Sequence, residues 1–498
     1  MGLKPSDSSA SGPRHDGKSH VNHKGLHWLM AAVFVVGDMA GGGVLALPNA
    51  LVSTGLAVGI GIISVCSVAT AYTGLQLSFN WKMMQERWSE YREECRRPYG
   101  EMAFRAVGPK MRTAVTVAMC ATQFGFATVL VLLASKNVSI LLHFFFSIDI
   151  SMCYVILLVA LLIWPATMLK SPMHFWQVAL FSAGSSTFFV ILLLIGMSHD
   201  APVCAKEVAY NDFDLIKFFM AYGTIIFAFG GHSAFPTIQH DMLKPAHFSK
   251  SILLAYTLIT IYYLSVSIMG YEVYGGSVGD AVIPSIQLMW LQQTANILIA
   301  IHVITTVVIV FSPLVQEVEQ LLHVPHHFGW KRFVVRSILF WLVIFVALSV
   351  PQFGPLMDLI GASTMSLMTM ILPAVFYLSL RASTEKRRRR LASGDAKPGE
   401  EDDDRVTVKE IFETTPKTIL IANIALLSFG IIGGTIATVS SLIKLTDSTM
   451  SAPCYVQYFT NGLPFSSGNV GMVNCCGRFR NTTVGNISAD GFCSVAKI

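Results

Sequence analysis

The sequence predicts an all-α membrane protein of eleven transmembrane helices. Ten of them form a five-plus-five inverted repeat with one extra helix added, and helices 1 and 6 are broken. Three observations carry this. Of the 498 residues only 13% are charged and 53% are hydrophobic, about half the charge of a soluble protein. The apolar residues come in long solid blocks, matching the roughly 20 residues that a helix needs to cross a bilayer core of about 30 Å. Two of those blocks, five apart in order, are interrupted by glycine clusters. The same observations exclude a soluble enzyme, a disordered chain and a coiled coil. Solid blocks, in place of about ten residues of alternation, also exclude an outer-membrane barrel.

In order, the blocks lie near 27–47, 55–79, 113–135, 151–168, 175–197, 216–236, 251–271, 291–315, 333–350, 356–380 and 418–441. Lipid satisfies no backbone hydrogen bonds, so each block must be a helix or a broken helix packed in a bundle. The fourth and ninth are the shortest. Orientation follows from basic residues, which concentrate on the cytoplasmic side. Starting from residues 1–26, alternate polar segments hold 27 of the 35 Lys and Arg and the intervening ones hold 6, so the N-terminus is expected in the cytoplasm. Residues 1–26 form a polar tail, 27–441 the transmembrane domain, and 442–498 an outer tail. The first apolar block is too long for a signal-peptide core, so it is expected to act as the insertion signal. The stretch 381–417 pairs the basic run Lys386 to Arg390 with the acidic run Glu400 to Asp404. It is expected to be a solvated linker that holds topology, with contact to anionic lipid as the alternative.

An odd number of crossings puts the C-terminal tail outside. That tail carries Cys454, Cys475, Cys476 and Cys493, with Cys204 in an outer loop as a fifth possible partner. Such a cluster suits an oxidising compartment and disulfides. The sequons at Asn481 and Asn486 are expected glycosylation sites, and a third, Asn137, falls at an outer span end. An outer tail of this kind favours the plasma membrane; a lysosomal or vesicular membrane, whose lumen is topologically equivalent, is the alternative.

The first block reads Gly37-Asp38-Met39-Ala40-Gly41-Gly42-Gly43, ending at Pro48, and the sixth reads Phe229-Gly230-Gly231-His232-Ser233-Ala234-Phe235-Pro236. Consecutive glycines each lower helix propensity by about 1 kcal/mol relative to alanine, and tight helix packing is the other use for them. In carriers built from inverted repeats, interrupted helices occupy matching places in the two halves and meet near the bilayer midplane. Half-helix N-termini there receive a carboxylate, and freed carbonyls bind a cation. The expected substrate site is therefore Gly41, Gly42, Gly43, Phe229, Gly230, Gly231 and His232, and the expected substrate a small zwitterion.

The motifs resemble those of the amino acid/auxin permease family. Gly41 to Pro48 is similar to its first-helix G-x-G-hydrophobic-L-x-L-P/A signature. Tyr99-Gly100-Glu101 with Gly108 resembles its YG(D/E)…G loop, and Gly231-His232 to Pro236 its GH-x-x-x-P motif. Gly270-Tyr271-Glu272-Val273-Tyr274-Gly275 resembles its GY-x-x-(F/Y)G motif, and Gly361 to Pro373 with Tyr377 is a weaker tenth-span match. The resemblance covers about residues 26–441 in the expected order. It implies the leucine-transporter type of fold and cation-coupled amino acid transport.

A carboxylate inside a bilayer is costly unless solvated, paired or neutral, so each is a functional candidate. Asp38, at the first break, is the candidate for proton or ion coupling, with helix capping as the structural alternative. His232 touches substrate or holds the second break open, with a structural hydrogen bond as the alternative. His302 lies on the eighth span near Thr305 and Thr306, a hydroxyl pair of the kind that contributes to a sodium site in the leucine-transporter type of fold; bonding of those hydroxyls to their own helix is the alternative. Asp358 and Glu272 fall at outer span ends and are expected at the interface. The run Glu317 to Leu322 matches an acidic dileucine sorting pattern, or else the eighth helix runs on.

No P-loop, HExxH helix or GxSxG elbow occurs, so neither an ATP-driven pump nor a hydrolase is expected. The histidines, His326-His327 included, lack metal-ligand spacing. The reading is a non-enzymatic secondary active transporter of neutral amino acids, driven by symport of a proton or sodium ion through alternating access. It needs no cofactor beyond the co-transported ion, and its partners are the substrate and the bilayer, not nucleic acid. The alternative is a non-transporting amino acid sensor that uses the same pocket.

Overall fold

The computed structural model describes residues 25–93, 95, 97–148, 150–168, 176–325, 329–397, 405–447, 453–456, 473–476 and 483–484. Asn481, Asn486, Cys493, His326, His327 and the run Glu400 to Asp404 lie outside the described residues. The first broken crossing is α1 (Trp28–Met39) and α2 (Gly42–Thr54), bent by 55° at the break. There follow α3 (Leu56–Arg87), α4 (Pro98–Ala106), α5 (Pro109–Phe146), α6 (Met152–Ile163) and α7 (Trp176–Cys204). The second half holds α8 (Leu215–Ala228), α9 (Phe235–His240), α10 (Phe248–Tyr274), α11 (Met289–Leu321) and α12 (Trp330–Ser349). The chain ends its bundle with α13 (Phe353–Ile360), α14 (Leu372–Ser393), α15 (Val408–Thr414) and α16 (Lys417–Asp447).

Among the described residues eight helices are long and apolar enough to cross a membrane, and the bent α1–α2 pair makes a ninth. Two shorter apolar helices, Met152–Met168 and Leu215–Ala228, stand where the fourth and sixth spans are expected. A helix or helix pair therefore occupies every expected position, with crossings beyond nine resting on those two. The elements run longer than the apolar blocks because helices continue past the hydrocarbon. Helix α5 has 38 residues, about 57 Å at 1.5 Å per residue.

One expectation is corrected here and two open readings are decided. Residues 381–393 are not linker but the end of α14, and Lys386 bonds Glu410 (2.8 Å) on α15, whose start is capped by Thr407. Asn137 is buried within α5, so that sequon is no place for a glycan. The acidic dileucine pattern is the end of α11: Glu317 is buried, and Glu319 accepts from Arg332 (3.1 Å) and Arg336 (2.6 Å) of α12. Packing turned those acids inward, where a sorting receptor has no access.

Helices α1, α2, α8 and α9 form the centre. Helix α2 lies on α8, α1 on α10 and α7, and α5, α11 and α16 flank them. Residues 361–371, between α13 and α14, are wound as two π-helical stretches. The C-terminal tail is tied down by Cys153–Cys454 and Cys204–Cys476, and Cys475 is also disulfide-bonded. Cys153 opens α6 inside an apolar block, which hid it from a count of tail cysteines. A short antiparallel pairing, Val473–Asn474 with Thr483–Val484, follows in the tail, and Gln287 donates to the Asn474 carbonyl (2.9 Å).

Candidate functional site at the two helix breaks

The chain leaves the helix at Ala40 and Gly41 and resumes at Gly42, with no side chain capping α2. The second break spans Phe229 to Ala234, between α8 and α9. Leu26 donates to the Asp241 carbonyl and Leu243 to the Leu26 carbonyl, each at 2.8 Å, so the start of α1 lies beside the end of α9. The two broken crossings therefore run antiparallel, as an inverted repeat requires.

Glycine is what lets them meet. A methyl on Gly43 would sit 2.4 Å from the Ala228 Cα, well inside the 3.5–4.0 Å of normal carbon contact. Gly41 faces the His302 ring, Gly230 the Met365 sulfur, and Gly42 the Leu133 side chain. A methyl on Gly231 would lie 2.9 Å from Asp38 Oδ2, so the carboxylate of the first break faces the backbone of the second.

Asp38 is buried, and among the described residues nothing hydrogen-bonds its carboxylate. It opens on a cavity of about 40 Å³ lined also by Phe34, Ala234, Thr237, Asp241 and Pro313, on the α9 side of the break. A site of that size holds a few waters. A second, smaller cavity shares Thr237 and Pro313 and reaches Arg97 and Gln316.

His232 points away from the first break, towards α3. Its Nε2 donates to the Thr70 carbonyl (2.9 Å) and lies 3.0 Å from Thr73 Oγ1. Since that carbonyl can only accept, the hydrogen is on Nε2. Nδ1 is buried with no partner among the described residues. The ring also packs on Phe235, at 4.7 Å between centroids. This geometry pins the second break to α3.

His302 is held from α7. Its Nδ1 lies 2.9 Å from Ser182 Oγ and 2.7 Å from Ser186 Oγ, and Ser182 Oγ reaches the Gly37 carbonyl at 3.2 Å. Thr306 Oγ1 is 3.3 Å from His302 Nε2 but donates to the His302 carbonyl at 2.8 Å. Thr305 bonds only its own helix, through the Ile301 and His302 carbonyls. Both hydroxyls thus donate their protons within α11, as β-hydroxyl side chains in helices commonly do, which leaves their oxygen lone pairs unused, and Thr306 Oγ1 also lies 3.4 Å from Ser182 Oγ of α7. His302 and Asp38 end on opposite sides of one break.

Two features escaped the sequence reading. Asp358, expected at the interface, is buried, and its carboxylate accepts a hydrogen bond from Thr224 of α8. There Gly223 and Gly361 bring the α8 and α13 backbones together, since a methyl on Gly223 would meet the Asp358 carbonyl at 2.3 Å. The other is Tyr263 of α10, whose hydroxyl lies 2.7 Å from the Met39 carbonyl and 2.6 Å from that of Ala228. One tyrosine in an apolar block gives no signal of its own. The serines of α7, clustered at 182, 185 and 186, are a polar stripe that could have marked the partner of His302.

Two antiparallel, unwound crossings apposed inside a helical bundle define a membrane carrier of the broken-helix type. The fold agrees with that of MhsT, solved in complex with L-phenylalanine: TM-score 0.51 at 10% identity, covering 84% of this chain and 100% of that one. The chain belongs to the transmembrane amino acid transporter protein family, which matches residues 24–397. It is 27% identical over 406 residues to Amino acid transporter AVT1C of Arabidopsis thaliana, covering 76% of this chain and 69% of that relative. It is 29% identical over 207 residues to Amino acid transporter AVT1B of the same plant, covering 40% of this chain and 37% of that relative's length.

Proposed function

We propose that this protein is a secondary active transporter of neutral amino acids, driven by symport of a proton. The observation that supports it most is the apposition of the two breaks, with Asp38 beside Gly231 and the uncapped start of α2 next to the end of α8. The α2 N-terminus offers unpaired N–H groups and partial positive charge to the substrate carboxylate. The carbonyls that end α1 and α8 offer acceptors to its ammonium. The coupling ion is read as a proton because the side chains facing the first break are a carboxylic acid, Asp38, and an imidazole, His302, both of which exchange protons. Alternating access then moves the broken pair against the flanking helices, with the cavity at Asp38 as the start of the path on the cytoplasmic side. A sensor would use the same pocket without flux.

The test is uptake of labelled amino acids into proteoliposomes, with sodium removed and the pH gradient varied. Accumulation that follows the proton gradient in Asp38-containing protein, and is lost in Asp38→Asn, is the expected result. Binding without counterflow would favour the sensor, and accumulation that needs sodium would refute the proton.

A further inference from the structure

Tyr263 is fully buried in α10, and Phe229 packs edge-on against its ring at 5.0 Å. Its hydroxyl is within strong hydrogen-bonding distance of two carbonyls, one from each broken crossing. A phenol has one proton to donate. At 2.7 and 2.6 Å it is shared between the Met39 and Ala228 carbonyls as a three-centre bond. The two acceptors are unequal. The Met39 carbonyl also receives the Gly41 N–H at 2.8 Å. The Ala228 carbonyl ends α8, and among the described residues Tyr263 is its donor. In this state the one proton therefore leans towards Ala228 while still bridging to Met39.

We propose that Tyr263 is a switching latch: a positioning residue that joins the two breaks in the empty carrier and moves its proton from the Ala228 to the Met39 carbonyl when a substrate ammonium takes Ala228. The ammonium brings three N–H donors to a place with more acceptors than protons. Helix α10 is suited to be the fixed post, since Gly270, about two turns along the same face, lies against Pro48 of α2, where a methyl would come within 2.7 Å. The substrate part of the proposal rests on the transport reading above; the junction of the two breaks does not.

Both parts are tested in the full-length protein in lipid. Without substrate, Tyr263→Phe is expected to raise amide hydrogen exchange about tenfold at 39–43 and 229–234 together, leaving the rest of α10 unchanged. Tyr263 replaced by 3,5-difluorotyrosine, a stronger donor of the same shape, should slow exchange at both breaks, so the test survives if the phenylalanine variant folds poorly. In uptake assays Tyr263→Phe should lower turnover about tenfold while KM changes by less than about threefold. Exchange that rises at one break only, or throughout α10, overturns the latch. Turnover and KM moving together overturn the switching step. Wild-type protein that carries no amino acid refutes the transport reading and the switching step, with the exchange data still judging the junction.

Discussion

Replacing Gly43 by alanine adds one methyl group where the two broken crossings touch. The new carbon would fall 2.4 Å from Ala228 Cα and 2.5 Å from Ala228 Cβ. Backbone cannot swing aside as a side chain does, so α2 and α8 must separate by about 1 Å to restore a normal contact of 3.5–4.0 Å. Overpacking of this kind costs about 1–3 kcal/mol. Helix propensity favours alanine by about 1 kcal/mol in a helix interior, which offsets little of this in the first turn of α2. Separation also pulls the Ala228 carbonyl from the Tyr263 hydroxyl, now at 2.6 Å. Two other glycines calibrate the effect. A methyl on Gly42 comes closest to the movable Leu133 Cδ2, at 3.1 Å, with Leu130 and Phe227 at ordinary contact, and one on Gly61 meets nothing within 4 Å. The expected order of thermal stability in detergent is Gly61→Ala at or above wild type, Gly42→Ala slightly below, and Gly43→Ala lowest. Uptake per folded molecule should fall at least tenfold in Gly43→Ala alone, since about 1.4 kcal/mol is a factor of ten. If Gly43→Ala melts and transports like Gly61→Ala, the two breaks do not meet as described.

Two further outcomes are expected away from the breaks. Glu319→Gln removes the carboxylate that Arg332 and Arg336, both buried, share, at a cost of about 3–5 kcal/mol. Replacing all three by methionine should recover most of the loss of melting temperature, and a single substitution as mild as the triple one would refute the buried-charge account. Cys95, between α3 and α4, has its thiol pushed up to about 12, chiefly by burial. At pH 8 only a very small fraction is then thiolate, the form that reacts. Maleimide labelling of native protein, read by mass spectrometry, should be slow at Cys95 and rise about tenfold per pH unit from 7 to 10; fast, pH-independent labelling would contradict the burial.

Much of this molecule could be read along the chain. Hydropathy over some twenty residues is a local quantity, and so is a run of glycines, so each expected span coincides with a helix and both breaks fall where Gly41 and Gly230 predict. The family followed from short motifs in a fixed order. What could not be read were encounters between distant residues. Tyr263 and Met39 are 224 positions apart, and Cys153 and Cys454 are 301 apart; no periodicity records which face of α10 or α6 points at them. Asp358 was misread for the same reason, since its position along a helix suggested the interface while α8, brought close by Gly223, enclosed it. Composition and glycine placement thus decided that the chain spans a membrane and where it unwinds, because those depend on each segment and its solvent. Only tertiary packing decided which carbonyls share a proton and which acids are sealed from water, because those depend on surfaces that exist once the helices have come together.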